Sequence, residues 1–139
     1  MDLRRVDHVP PVKAVMTPFP WSVDAQETVG RARALMREHA IHHLPVTEEG
    51  RPAGVVRDVD LAGSPEEVRI REVFSRRAYV VELDAGLDAV LLHMAEHHLD
   101  SALVVRHGRL AGIFTATDAC RCFGEWLRET FAPGGGEAA

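Results

Sequence analysis

Gly54 and Gly112 stand 58 positions apart, and sliding the chain by that interval lays one half of it on the other without a gap. Val15 falls on Val73, Val23 on Val81, Met36 on Met94, Val46 on Val104, Gly50 on Gly108 and Asp60 on Asp118. A duplication constrains the fold more than composition does, because whatever one copy forms the other must form as well. Two copies are too few for a solenoid, so the repeat predicts a pair of half-domains related by an approximate two-fold axis. The 139 residues are enough for two such halves to share one core.

Each copy carries the same succession of local signals. A basic-apolar segment, Val12 to Thr17 or Ile70 to Ser75, suits one helical turn, and Pro18 and Pro20 stop the first. Trp21 to Val23 and Tyr79 to Val81 are aromatic and β-branched, as short strands are. Apolar residues at helical spacing, Val29, Ala32 and Met36 or Leu87, Val90 and Met94, predict amphipathic helices over about 28–39 and about 87–98. Asp24 or Gln26 can cap the first and Asp84 the second. Strand, turn and strand follow: Leu44 to Thr47 and Ala53 to Val56 around Gly50, then Ala102 to Val105 and Leu110 to Phe114 around Gly108. A helix closes each copy, brief after Asp58 and longer after Thr115, the latter running through Trp126 towards Phe131. The expected organisation is an N-terminal segment 1–11, a first repeat 12–62, a linker 63–69, a second repeat 70–131 and a disordered tail 132–139.

Composition excludes several functions. A net charge of −5, with basic residues mixed among acids, disfavours nucleic acid and a membrane surface as partners. No apolar run approaches the ~20 residues of a membrane span, and the opening residues Met1 to His8 hold no apolar signal core, so a cytoplasmic location is expected. Cys120 and Cys122 are two apart in a predicted helix, face different ways, and are too few for a metal knuckle.

The richest chemistry lies at Gly112-Ile113-Phe114-Thr115-Ala116-Thr117-Asp118, the end of a buried strand turning into a helix. Thr115 and Asp118 bring a hydroxyl and a carboxylate to the first helical turn, where free N–H groups and the helix dipole suit an anion. The same Thr-x-x-Asp spacing is also that of a capping box, in which both side chains serve only their own helix.

These features together resemble the tandem CBS-domain pair, or Bateman module. The marks are Val15-Met16-Thr17-Pro18, the Met36…Ile41-His42-His43-Leu44-Pro45-Val46 stretch, and two Gly-apolar-apolar-x-x-x-Asp endings repeated in register over nearly the whole chain. The resemblance implies an α+β fold of two β-α-β-β-α repeats, related by a pseudo-two-fold axis and packed through their sheets. It implies a regulatory protein and not an enzyme. In relatives, clefts between the repeats take AMP, ATP or S-adenosylmethionine; the motif hydroxyl contacts phosphate and its Asp accepts from the ribose hydroxyls. Thr115 and Asp118 match that motif here. The family also places the first strand of a repeat against adenine, which assigns Tyr79, Val80 and Val81 to the pocket of Thr115 and Asp118, with Thr17 from the opening motif.

The first copy departs from the pattern. Arg57 stands where the hydroxyl belongs, three positions before Asp60; it can pair with a phosphate, but pairing with Asp60 or Asp58 or filling the cleft is expected ahead of that, leaving this second cleft the weaker. His42 and His43 occupy positions that are basic in relatives, and imidazoles hold phosphate more weakly than arginine does. His93 and His97 have a metal-compatible spacing but no evident third ligand, so no metal is assigned. With no effector domain in the sequence, occupancy is expected to be read by an unidentified partner protein or by a homodimer paired through helices. No cofactor is obligatory, and AMP, ADP, ATP or S-adenosylmethionine are the candidate ligands. The competing reading is an interaction or dimerisation module with vestigial clefts that binds its partner with or without nucleotide.

Overall fold

The computed structural model describes residues 8–132. The order of elements repeats as the duplication requires, with one addition. After a 3-10 turn at Val12–Ala14 come β1 (Thr17–Pro18), β2 (Val23–Asp24), α1 (Val29–His39), β3 (His43–Glu48), β4 (Arg51–Arg57) and α2 (Asp58–Leu61). The second copy has a 3-10 turn at Ile70–Glu72, then β5 (Val80–Glu82), α3 (Leu87–Glu96), β6 (Ser101–Arg106), β7 (Arg109–Thr115) and α4 (Ala116–Phe131). One sheet runs β2-β3-β4 and the other β1-β7-β6-β5. In each, the parallel pairing of the first strand with the hairpin requires a helical crossover, which α1 and α3 supply. Contacts between β4 and β7 join the two sheets.

The hairpins are near copies. Glu49-Gly50 and His107-Gly108 all have positive φ, between 52° and 77°, the backbone of a two-residue turn matched to strand twist. Both ladders shift register after the same equivalent residues, at Val46/Thr47 and Val104/Val105.

Each half is completed by the other's leading segment. The Val12 amide donates to the Ala85 carbonyl and the equivalent Ile70 amide to the Glu27 carbonyl, both at 2.8 Å. Lys13 to Leu83 (3.0 Å) is matched by Arg71 to Ala25 (2.9 Å), and Leu87 to Pro10 (2.9 Å) by Val29 to Val68 (2.8 Å). Val12 is fully buried in the core of the second half, with Val81, Val90, Val104 and Phe114. Ile70 is fully buried in the core of the first, with Val29, Leu35, Leu44 and Val56. The pseudo-two-fold axis therefore relates two interlocked halves.

The crossing continues past these turns. β1 lies antiparallel on β7, pairing Thr17 with Ile113 and Pro18 with Gly112, and Ser75 bridges Val55 in the equivalent place. This explains the motif glycines. A Cβ at Gly54 would overlap the Ser75 carbonyl oxygen and lie 2.8 Å from the Phe74 ring, and one at Gly112 would overlap the Met16 sulfur.

Some local expectations are corrected. Thr17–Pro18 is a strand and not the end of a helical turn, because the crossing segment finds an open edge on β7. α1 is capped by Thr28, whose Oγ1 accepts the Arg31 amide at 3.2 Å; Asp24 instead accepts from Gln26 in a local turn. The N-cap of α3 is Gly86, with no side-chain cap, so Asp84 does not serve it. The segment 1–7 and the tail 133–139 lie outside the described residues.

Candidate ligand clefts

The crossing builds two clefts, one from each exchanged segment and the sheet end it lies on. The first holds ≈ 370 Å³ and the second ≈ 250 Å³. Their linings are equivalent positions of the repeat carrying different residues.

The larger cleft is lined by Thr17, Pro18, Phe19, Pro20 and Trp21 of the crossing segment. Ala40, Ile41, His42 and His43 come from the α1–β3 connection, and Ile113, Thr115 and Thr117 from the β7–α4 turn. Trp21, 53% exposed, stacks on His39 with ring centroids 3.8 Å apart and planes 12° from parallel. The lining thus combines aromatic and aliphatic side chains with hydroxyls and imidazoles. Such a mixture of apolar walls and a few placed polar groups is what small-molecule sites have.

Thr115 and Asp118 form the reciprocal capping box of α4. Asp118 Oδ2 accepts the Thr115 amide at 2.8 Å and the Thr115 hydroxyl at 3.0 Å, while Thr115 Oγ1 accepts the Asp118 amide at 3.2 Å. Asp118 Oδ1 accepts from Arg121 at 3.1 Å. Asp118, 7% exposed, sits behind Thr115 and does not line the cleft. The imidazoles are backed by carboxylates: His42 Nδ1 is 2.8 Å from Asp58 Oδ2, a hydrogen bond that holds the Asp58 carboxyl below its ordinary range. His43 Nε2 lies 3.3 Å from Asp100 Oδ2 without hydrogen-bond alignment.

The smaller cleft is lined by Arg57, Asp60, Arg77, Tyr79, Asp100 and Ser101 among others. Arg57 reaches across it, from Asp60 Oδ1 at 3.3 Å to Asp100 Oδ2 at 3.4 Å, and its amide donates to Asp60 Oδ2 at 2.8 Å. These pairs, Asp60 first, raise the arginine's already high pKa. Burial pushes the Asp100 carboxyl up, but His43 and Arg57 together outweigh it and leave the group below its ordinary range. Burial also raises the Tyr79 phenol. Of the pairings expected of Arg57, the one with Asp60 forms; Asp100 is its other partner, and Asp58 belongs to His42.

The structure brings Thr17, His42 and His43 to the cleft of Thr115, and places Tyr79 elsewhere. Tyr79 lines the smaller cleft, Val80 is exposed on the edge strand β5, and Val81 is buried in the second half's core. The reason is the crossing: the segment facing β7 comes from the other repeat, so Trp21 stands where Tyr79 was expected. Arg77 went unnoticed in the sequence, although the repeat makes it the counterpart of Phe19. His93 stacks on Tyr79 and meets His97 at a tilt, and no group of three metal-ligating side chains occurs among the described residues.

Two interlocked halves with a cleft beside each crossing define a tandem-repeat module with paired, equivalent clefts. The chain belongs to the CBS-domain family: the family model matches residues 12–66 and 70–125. Hypoxic response protein 1 of Mycobacterium tuberculosis is 32% identical over 107 residues, 71% of this chain and 75% of that protein. Among solved structures, AcuB of Vibrio cholerae superposes with a TM-score of 0.79 at 26% identity, covering 91% of this chain and all of that one. The CBS pair of protein MJ0100, in complex with 5′-methylthioadenosine and S-adenosylmethionine, gives 0.76 at 25% identity over 85% and 98% of the two chains. The cytosolic domain of the Mg2+ channel MgtE in complex with ATP gives 0.73 at 28% identity over 81% and 48%. No helix among the described residues is long and apolar enough to cross a membrane.

Proposed function

We propose that this chain is a non-catalytic, cytoplasmic regulatory module that takes an adenine nucleotide or related adenosyl ligand in the Thr115 cleft. Its occupancy is read by an effector protein or by a homodimer. The observation that carries this reading is the open ≈ 370 Å³ cleft, whose lining combines the Trp21 indole and Ile41 with Thr17, Thr115 and Thr117. A purine suits the aromatic and aliphatic side chains, and ribose hydroxyls suit the threonine hydroxyls with the Asp118 carboxylate behind Thr115. The adenosyl ligands bound by similar CBS pairs support the same class. The homodimer is supported by exposed apolar residues on two helices, Leu92 of α3 and Phe123, Leu127 and Phe131 of α4.

One observation favours the interaction-module reading: both Asp118 oxygens already serve α4 and Arg121. Melting the protein with AMP, ADP, ATP, S-adenosylmethionine and NAD separates the two. The sensor reading expects one of these to raise Tm by several degrees and Asp118→Ala to abolish the shift. An unchanged Tm with every compound at millimolar concentration refutes it and leaves the interaction module.

A further inference from the structure

We infer that the Thr115 cleft selects adenosyl compounds that carry no phosphate chain, either uncharged or bearing a cationic sulfonium. This rests on the reading of that cleft as an adenosyl site and narrows the ligand class it takes.

No lysine or arginine lines the cleft. Its only basic side chains, His42 and His43, each face a carboxylate, Asp58 at 2.8 Å and Asp100 at 3.3 Å. Two imidazoles set against two carboxylates bring the cleft no net positive charge, so a phosphate entering here meets Asp58 and Asp100 behind the rings. Of the arginines nearest to it, Arg57 is held by Asp60 and Asp100, Arg121 by Asp118 and Arg33 by the Leu61 carbonyl, while Arg37 lies with His42 and Asp58 in an adjoining hollow and does not line this cleft.

The N-terminus of α4 offsets little of the deficit, since three of its four first-turn amides are already taken. The amides of Thr115, Ala116 and Asp118 are taken by Asp118 Oδ2, the Asp100 carbonyl and Thr115 Oγ1. The Asp118 carboxylate already supplies the negative charge that a helix start favours, so a phosphate must compete with a covalently held anion. An uncharged thioether meets none of this repulsion. A sulfonium gains from the two carboxylates, and the aromatic rings of Trp21 and Phe19 in the lining suit a cation. The equivalent positions of the smaller cleft hold Arg57 and Arg77, so the two clefts of one fold differ in charge and the larger is the one without cations.

Isothermal titration at pH 7.5 and 150 mM salt tests this with 5′-methylthioadenosine, S-adenosylmethionine, AMP and ATP, counting only binding that is lost in Trp21→Ala. Trp21 is half exposed, and a melting curve checks that the variant folds. At least one of the first two compounds is expected to bind tenfold or more tightly than AMP and ATP. In His42→Arg the affinity for AMP should rise fivefold or more, while that for 5′-methylthioadenosine moves less than twofold. Trp21-dependent binding of AMP or ATP as tight as that of the phosphate-free ligands overturns the inference and leaves the adenosyl reading standing. Absence of Trp21-dependent binding for all four removes the adenosyl reading and this inference with it.

Discussion

Replacing Ile70 with Ala tests the interlocked architecture, because this residue is covalently part of the second repeat and packed in the core of the first. It is 0% exposed among Val29, Leu35, Leu44 and Val56. The substitution removes three carbons, about 2.4 kcal/mol at about 0.8 kcal/mol for each buried methylene, and the cavity left behind adds to that. A total near 3–4 kcal/mol is a large share of the roughly 5–15 kcal/mol that holds a domain folded. For a chain of this size it corresponds to a Tm lower by roughly 10 °C. Differential scanning calorimetry should show one transition, moved as a whole, since the exchanged amides tie each half to the other. Ile70→Val, at about 1 kcal/mol, should move the same single peak by roughly 3–4 °C if the first variant does not fold. Two resolved transitions, with the second half melting where it does in the wild type, would refute the reasoning.

The crossing also ranks the two motif glycines. Gly54→Ala sets a methyl group against the Ser75 backbone and the Phe74 ring, neither of which can yield cheaply, whereas Gly112→Ala meets mainly the flexible Met16 side chain. Overpacking of this kind costs about 1–3 kcal/mol, so urea denaturation should place Gly54→Ala at the high end and Gly112→Ala below it; the reverse order would contradict the geometry. Acid should weaken the centre of the molecule. Asp58 and Asp100 have carboxyl pKa values below the ordinary range, so the stability they contribute is present above the unfolded value of about 3.9 and is lost as pH falls through the folded values. Both side chains are 48% exposed, which keeps the effect small. Melting temperatures should fall more gently below about pH 4 in Asp58→Asn with Asp100→Asn than in the wild type. An equal acid slope in the two proteins would count against these pairs.

What the sequence concealed has one physical origin. Sliding the chain on itself reveals which residues are equivalent, and that was enough for the hairpins at Gly50 and Gly108, the apolar stripes of α1 and α3, and the unequal closing helices. Equivalence does not say which copy a segment packs against. Val12 and Ile70 look alike whether each stays at home or crosses over, since both environments are apolar and related by the pseudo-axis. The misassignment of Tyr79 follows directly. Trp21, from the first repeat, reaches β7 of the second because the residues before it have crossed. The capping geometry of Thr115 and Asp118 was legible as an alternative, being purely local. The shared hold of Asp100 on Arg57 and near His43 was not, because it joins residues 43 and 57 positions away across two connections.

The most direct measurement of the central claim is a two-dimensional 1H–15N NMR titration with S-adenosylmethionine, 5′-methylthioadenosine and AMP in turn. The account predicts that at least one of them shifts the Trp21 indole and the amides of Thr17, Ile41 to His43 and Thr115 to Thr117 in a saturating way, leaving Arg57, Arg77 and Tyr79 in place. Shifts centred on Arg57, Arg77 and Tyr79, or none at millimolar ligand, would contradict it.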